Sequence, residues 1–122
     1  MKRAANYNGN KGGECNRVER LAHCLRVRFV CPYCEGTLET DANGLPTKRV
    51  AIDHVFPQLF GGQKGAENQL ACCVSCNSSK KAQLLRDFAD KKSDPKIVHR
   101  VQLALKRRLP IAKAKGILNP TK

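Results

Sequence analysis

The sequence has little with which to build a large apolar core. Its 122 residues include no tryptophan, one methionine and only 5% aromatic residues, and the mean hydropathy is −0.48. The length suits one domain with appendages, and so small a core predicts a metal or disulfide staple. No stretch approaches the roughly 18 apolar residues of a membrane span, and Met1–Gly13 lacks the apolar segment of a signal peptide. We therefore expect a chain that spans no membrane and stays in the cytoplasm.

Acidic residues are also scarce, and the charge is unevenly distributed. Residues 1–30 carry a net +5, residues 31–79 a net −2 and residues 80–122 a net +10, for a formal total of +13. A near-neutral middle between basic ends predicts that the ends bind a polyanion, and nucleic acid is the usual partner of such a chain. The simpler alternative is a basic surface that only keeps the chain in solution.

Cysteine, by contrast, is abundant, with seven residues in a chain that shows no export signal. An odd count without export argues against a disulfide framework and for thiols that bind metal. Two CxxC pairs, Cys31–Cys34 and Cys73–Cys76, are separated by 38 residues, and two such knuckles complete a tetrahedral zinc site of four thiolates. A redox CxxC would need one pair in a thioredoxin-like βαβ context. The remaining Cys15, Cys24 and Cys72 are predicted to be ordinary buried or half-buried thiols.

Periodicity and turn residues predict two short strands and three helices. The strands are Arg49–His54 and Gln69–Ala71, and the helices begin near Glu14, Asn77 and Asp94. The helix from Asn77 is expected to continue through Ala89. The Asp94-Pro95 pair is typical of a helix start, with an N-cap followed by proline at the first helical position. Residues 1–13 are rich in Asn, Gly and Lys and lack periodicity, so they are predicted to form a flexible basic arm.

The middle of the chain is therefore a strand–loop–strand–helix, or ββα, unit. In order, it contains Asp53-His54-Val55-Phe56-Pro57, Gly61-Gly62, Asn68-Gln69-Leu70 and Cys73-Val74-Ser75-Cys76-Asn77-Ser78-Ser79-Lys80. These residues resemble the HNH endonucleases, most closely the branch whose ββα-metal core is framed by two CxxC pairs. The resemblance covers about residues 31–80. It implies a small α+β fold, with a ββα-metal (His-Me finger) core stapled by the four-cysteine zinc site and with flanking helices.

The resemblance also implies a role for each matching residue. His54 is then the general base, for which the reference histidine pKa of about 6.5 is suitable. Asp53 and Asn77 hold a divalent ion, and Asn68 fixes the loop that orients the base. Lys80 is assigned a phosphate contact, with a solvated lysine as the alternative. The last motif position is more usually histidine, so Asn77 makes an HNN variant whose oxygen ligands favour Mg²⁺ or Mn²⁺ over Zn²⁺ or Ni²⁺.

The expected function is hydrolysis of phosphodiester bonds in DNA, taken as double-stranded, by a metal-dependent endonuclease. The expected segments are a basic arm and amphipathic helix at 1–30, a zinc-stapled nuclease core at 31–92, and a basic C-terminal helix and tail at 93–122. Cations of the last segment are expected to bind the nucleic acid, namely Arg100, Lys106, Arg107 and Arg108. The alternative for that helix is that its apolar stripe, Ile97, Val101, Leu105 and Leu109, packs on the core as a scaffold.

Two other functions remain open: a non-catalytic zinc-containing module that binds nucleic acid, and a basic zinc protein of a ribonucleoprotein. The sequence favours the enzyme, because a binder has no use for Asp-His at a strand end with Asn at a helix start. Target specificity, nicking against double-strand cleavage, and monomer against homodimer stay undecided, and a bacterial or phage setting is expected. His23 and His99 lie in no ligand spacing and are predicted to be surface or boundary histidines.

Overall fold

The computed structural model describes residues 15–57 and 65–120. Within these ranges the chain forms five α-helices and a two-stranded antiparallel sheet. The helices are α1 (Arg17–Arg26), α2 (Val74–Lys80), α3 (Leu85–Lys91), α4 (Lys96–Lys106) and α5 (Ile111–Leu118), and the strands are β1 (Val50–His54) and β2 (Gln69–Cys73). The predicted arm at 1–13 and the Gly61-Gly62 pair lie outside the described residues.

The two strands and α2 form the predicted ββα unit. In the antiparallel register, Val50 lies opposite Cys73 and His54 lies opposite Gln69. The helix follows β2 without a gap, because the Cys73 side chain accepts the backbone N–H of Cys76 and caps the first turn. The second knuckle is thus part of α2, and the predicted helix start at Asn77 is too late. The α+β class with a ββα core is confirmed.

The helix predicted to run through Ala89 is instead two helices, α2 and α3. Helix α2 ends at Lys80, and Lys81 has a φ of 51°. This left-handed conformation is incompatible with a continuing right-handed helix. The chain turns through Lys81–Leu84 before α3 begins, so that Phe88 and Ala89 of α3 are buried in the core.

The first helix is fixed at its start by a capping box. Glu19 N–H donates to Asn16 Oδ1 over 2.8 Å, and Asn16 N–H donates to Glu19 Oε1 over 3.1 Å. The amphipathic helix predicted from Glu14 is confirmed, with a later first residue, because the capping box selects the start. Leu21 and Ala22 of its apolar stripe are buried.

One hydrophobic core joins parts of all three predicted segments. Buried members include Cys24 from α1, Val27 just after that helix, Tyr33 from the first knuckle, and Ile97 and Val101 from α4. Burial of this α4 stripe supports the scaffold alternative for that helix. No helix in the described parts of the chain is long and apolar enough to cross a membrane.

The predicted C-terminal tail contains a helix that the sequence patterns did not indicate. Ala114 of α5 is fully buried against Leu21 and Ala22 of α1. Leu109, predicted to extend the α4 stripe, lies beyond the end of α4 and packs in this second cluster. Helix α5 therefore packs on α1, whereas α4 packs on the main core.

Candidate functional site

Four cysteines converge at one point, although two of them come from residues 31–34 and two from residues 73–76. The sulfur atoms of Cys31, Cys34, Cys73 and Cys76 all lie within 4.8 Å of one another. Cys34 Sγ and Cys73 Sγ are 3.9 Å apart, close to the roughly 3.8 Å expected between two sulfurs on one tetrahedral zinc ion. The chemistry and spacing of these donors fit a structural Zn²⁺, as predicted.

The electrostatics of the cluster couple ion binding to proton release. Burial raises the pKa of Cys31 to about 11 and also raises that of Cys76. Burial opposes ionisation of Cys73 too, but the Cys76 N–H and the neighbouring thiols lower its pKa overall. Because zinc binds thiolates, protons must leave as the ion enters.

Asp53, at the end of β1, lies inside the protein with two polar partners. It is 5% exposed. Tyr33 Oη donates to its Oδ2 over 2.6 Å, and Lys80 Nζ lies 3.0 Å from the same oxygen. Burial, and then the charge of Asp53, raise the pKa of Tyr33 well above its ordinary value, so this hydroxyl stays protonated and donates. A buried carboxylate is thereby compensated by a cation and a hydroxyl.

Asn68 clamps the segment that follows His54. Its Oδ1 accepts the Phe56 backbone N–H over 2.8 Å, and its Nδ2 donates to the Phe56 carbonyl over 3.0 Å. The Val55 N–H also donates to the Asn68 carbonyl over 2.8 Å. Both ends of one amide therefore fix the backbone two residues beyond His54, which itself is half-buried at the end of β1. This geometry is the one that a loop-fixing role of Asn68 requires.

Asn77 is half-buried on α2, one helical turn before Lys80. Residues i and i+3 share a helix face. Since Lys80 contacts Asp53, the α2 face that carries Asn77 is turned toward the end of β1.

Lys80 was predicted to contact phosphate, but its side chain lies inside the protein. Its side chain is 0% exposed. Besides Asp53, its Nζ donates to the carbonyls of His54 over 3.3 Å and Val55 over 3.2 Å. An ammonium has three N–H groups, and three acceptors within the protein surround this one. This placement does not support a direct contact between Lys80 and phosphate.

The four predicted cations of the C-terminal segment divide into two kinds. Arg100 Nε donates to the Pro32 carbonyl over 2.8 Å, and Arg100 Nη2 lies 2.8 Å from Asp94 Oδ2. Arg100 is half-buried and supports the first knuckle. The other three, Lys106, Arg107 and Arg108, are exposed. One of them, Arg107, also donates to the Arg26 carbonyl over 3.0 Å.

Two arginines of α1 were missed as structural partners of the site. Arg26 is 4% exposed and donates to the carbonyls of Ala66 and Gln69, which flank Asn68. Arg20 donates to the carbonyls of Thr47 and Val50 at the start of β1. No local pattern identifies these contacts, because both arginines lie on a helix whose charged residues ordinarily face solvent.

The prediction of a surface or boundary position is wrong for His23, which is 1% exposed. Its Nδ1 lies 3.4 Å from Arg26 Nη2. Burial, and then the charge of Arg26, lower the pKa of His23 to about 4. His99 is exposed, as predicted.

The three cysteines outside the cluster behave as predicted. Cys24 and Cys72 are buried and Cys15 is half-buried. Burial raises the pKa of Cys24 to about 12 and that of Cys15 to about 11, as expected for unreactive thiols.

Comparison with known families agrees with this geometry. The family model described as HNH endonuclease matches residues 31–93, slightly more than half of the chain. The chain therefore belongs to the HNH endonuclease family, and its four-cysteine cluster is consistent with the branch that carries two zinc knuckles. A comparison with curated proteins found no match. Membership indicates nuclease activity and a nucleic acid as substrate, and the four-cysteine cluster indicates a structural zinc site.

Proposed function

We propose that the protein is a metal-dependent DNA endonuclease that hydrolyses phosphodiester bonds. The observation that carries this proposal is the Asn68 clamp on Phe56 next to His54. A zinc-stapled binding module needs the knuckles and the basic surface. It has no need of a histidine at a strand end whose following backbone is fixed from both sides.

His54 is the proposed general base. In this role its imidazole takes a proton from the water that attacks the phosphorus atom. The clamp supports this assignment because a general base must be held within hydrogen-bond reach of that water. Lys80 contributes from the other side, since it holds the carbonyls of His54 and Val55.

Asp53 and Asn77 are the proposed protein ligands of a divalent ion. One carboxylate and one amide carbonyl form an all-oxygen donor set, which suits Mg²⁺ or Mn²⁺. When bound, the ion supplies Lewis-acid stabilisation of charge on the phosphate and leaving oxygen. Asp53 supports this assignment because its Oδ2 is held by Tyr33 and Lys80, as carboxylate ligands commonly are.

Duplex DNA is the proposed substrate because of the charge distribution. The formal charge is +13, and Lys106, Arg107 and Arg108 form an exposed cationic run at the C-terminal end of α4. Such cations bind phosphates irrespective of sequence, which gives affinity that falls with salt. We retain these three as proposed DNA contacts and assign Arg100 to support of the first knuckle.

The test is incubation of supercoiled plasmid with purified protein in Mg²⁺ or Mn²⁺, with and without EDTA. We expect metal-dependent nicking or linearisation, and His54→Ala should lower the rate about 10²- to 10⁴-fold with little change in DNA affinity. His99→Ala, which removes an exposed histidine of α4, is the matched control.

Metal-independent binding without cleavage would instead favour the non-catalytic module. An RNA oligonucleotide of the same length serves as a second substrate, and preferential RNA binding without cleavage would favour the ribonucleoprotein alternative. Cleavage by His54→Ala at the wild-type rate would contradict the assignment of the base.

A further inference from the structure

The first zinc knuckle reaches the proposed nuclease site through one side chain. Tyr33 lies between the ligands Cys31 and Cys34, and it is 3% exposed. Its hydroxyl donates to Asp53 Oδ2 over 2.6 Å. The sequence patterns assign no role to Tyr33, since the two middle positions of a CxxC knuckle need no particular side chain to bind zinc.

The position of this hydroxyl is fixed at both ends of the side chain. At the backbone, Arg100 donates to the carbonyls of Pro32 and Tyr33 over 2.8 and 3.1 Å. At the ring, Tyr33 packs edge-on against Phe88 with centroids 5.3 Å apart. The Tyr33 hydroxyl is therefore held in one place, and the Asp53 carboxylate must stay near it to keep the hydrogen bond.

The two side chains that contact the Asp53 carboxylate in the described part of the chain bind the same oxygen. The Tyr33 hydroxyl and the Lys80 ammonium both contact Oδ2, and Lys80 is itself held by two backbone carbonyls. Two rigid donors on one oxygen determine the rotation of the carboxylate group. The second oxygen, Oδ1, is then the atom we assign to the divalent ion.

We infer that Tyr33 is a positioning residue that couples the zinc knuckle to the ion-binding carboxylate of Asp53. This inference rests on the proposed function. Partners of ligand side chains commonly contribute 10- to 100-fold to metal affinity. Loss of the hydroxyl is therefore expected to weaken Mn²⁺ binding by about that factor, while the ring still fills the core.

The test is Tyr33→Phe, which removes only the hydroxyl. Mn²⁺ affinity is measured without DNA by electron paramagnetic resonance of the free ion, and cleavage is measured across a Mn²⁺ titration. Thermal melting and zinc content report on the fold. Tyr7→Phe is the matched control, since Tyr7 is the other tyrosine of the chain.

We expect Tyr33→Phe to need about 10- to 100-fold more Mn²⁺ for half-maximal binding and cleavage. Saturating Mn²⁺ should restore most of the rate, and zinc content should stay at the wild-type level. A folded variant with wild-type Mn²⁺ affinity overturns the inference, as does one that loses zinc and Mn²⁺ together, which would indicate a structural role only. A wild-type chain that binds Mn²⁺ without cutting DNA contradicts the proposed nuclease alone.

Discussion

The interior of the ββα unit and residues 106–108, at the C-terminal end of α4, both carry cationic side chains, but in opposite surroundings. Lys80 is fully buried, and its ammonium lies among Asp53 and two backbone carbonyls. Lys106 and Arg108 are exposed. The comparison teaches that a basic sequence segment does not by itself define a binding surface. The acceptors that each cation meets within the protein decide whether it can contact a ligand.

Three arginines of α1 and α4 also bind acceptors within the protein. Arg20, Arg26 and Arg100 each donate to backbone carbonyls of the core. A guanidinium is well suited to this use because its rigid fork presents several donors at once. These side chains still contribute to the positive field of the protein, but their donors are directed inward.

The largest expected effect is the unfolding of the ββα unit when zinc is removed. Site formation and folding are coupled in domains of this kind, where the ion contributes about 10–16 kcal/mol. We expect about one zinc per chain by elemental analysis, and loss of the cooperative thermal transition after chelation. Cys34→Ser should have the same effect, although Cys34 is exposed. Cys15→Ser, outside the cluster, is the control, and a zinc-free chain with an unchanged melt would refute the structural role.

The second prediction compares two adjacent lysines. Lys80→Met removes a buried cation and leaves the Asp53 carboxylate without an opposite charge, which typically costs about 3–5 kcal/mol of unfolding free energy. Lys81 is exposed, so Lys81→Met should change stability by no more than about 0.5 kcal/mol. Urea unfolding of both variants measures the difference. Equal stability of the two would mean that the ammonium of Lys80 is not buried against Asp53 in solution.

The third prediction separates the two kinds of arginine on α4 and the turn after it. Arg100→Met removes donors from Pro32 and Tyr33, which should cost about 1–3 kcal/mol of stability and leave the salt dependence of DNA binding unchanged. Arg108→Met should leave stability within about 0.5 kcal/mol. If Arg108 contacts a phosphate, the slope of log affinity against log salt should flatten by about 0.9. Fluorescence anisotropy at several salt concentrations, with urea unfolding, tests both, and an opposite pattern would reverse the assignment.

The smallest effect concerns His23, the buried histidine of α1. Its pKa in the folded protein is about 4, below the ordinary value of 6.5, so the unfolded chain binds the extra proton and acid destabilises the fold. The associated stability is complete above pH 6.5 and is lost as the pH falls toward 4. Between pH 7 and 5.5 this amounts to about 1 kcal/mol. His23→Gln should reduce the acid sensitivity of urea unfolding by that amount, whereas His99→Gln should not; equal sensitivity of both variants would contradict burial of His23.

Local patterns were sufficient to predict the elements that depend on neighbouring residues. The two CxxC pairs predicted the cluster, the alternation at Arg49–His54 predicted β1, and the apolar spacing predicted α1. The motif order also placed His54 at a strand end and Asn68 on the loop beside it. These features follow from short-range geometry, which periodicity and motif spacing encode directly.

The missed features depend on contacts between distant residues. Lysine is almost never fully buried unless paired, so nothing in the α2 sequence indicates that Lys80 points inward to Asp53. The hydrogen bond from Tyr33 to Asp53 and the carbonyls bound by Arg26 also cannot be predicted before the fold is known. The break at Lys81 was missed because no glycine or proline marks it, and α5 was missed because it forms by packing against α1.

The double use of Cys73 has a consequence for how the protein is made. Its thiol is a predicted zinc ligand and also the cap that starts α2. During synthesis the first knuckle must wait for 38 further residues before the second appears, which at 5–20 residues per second takes about 2–8 s. Only then can the ion close the cluster and α2 bring Asn77 and Lys80 to the end of β1. A growing chain therefore has no complete ββα unit, and we expect the proposed nuclease to become competent only after zinc has bound.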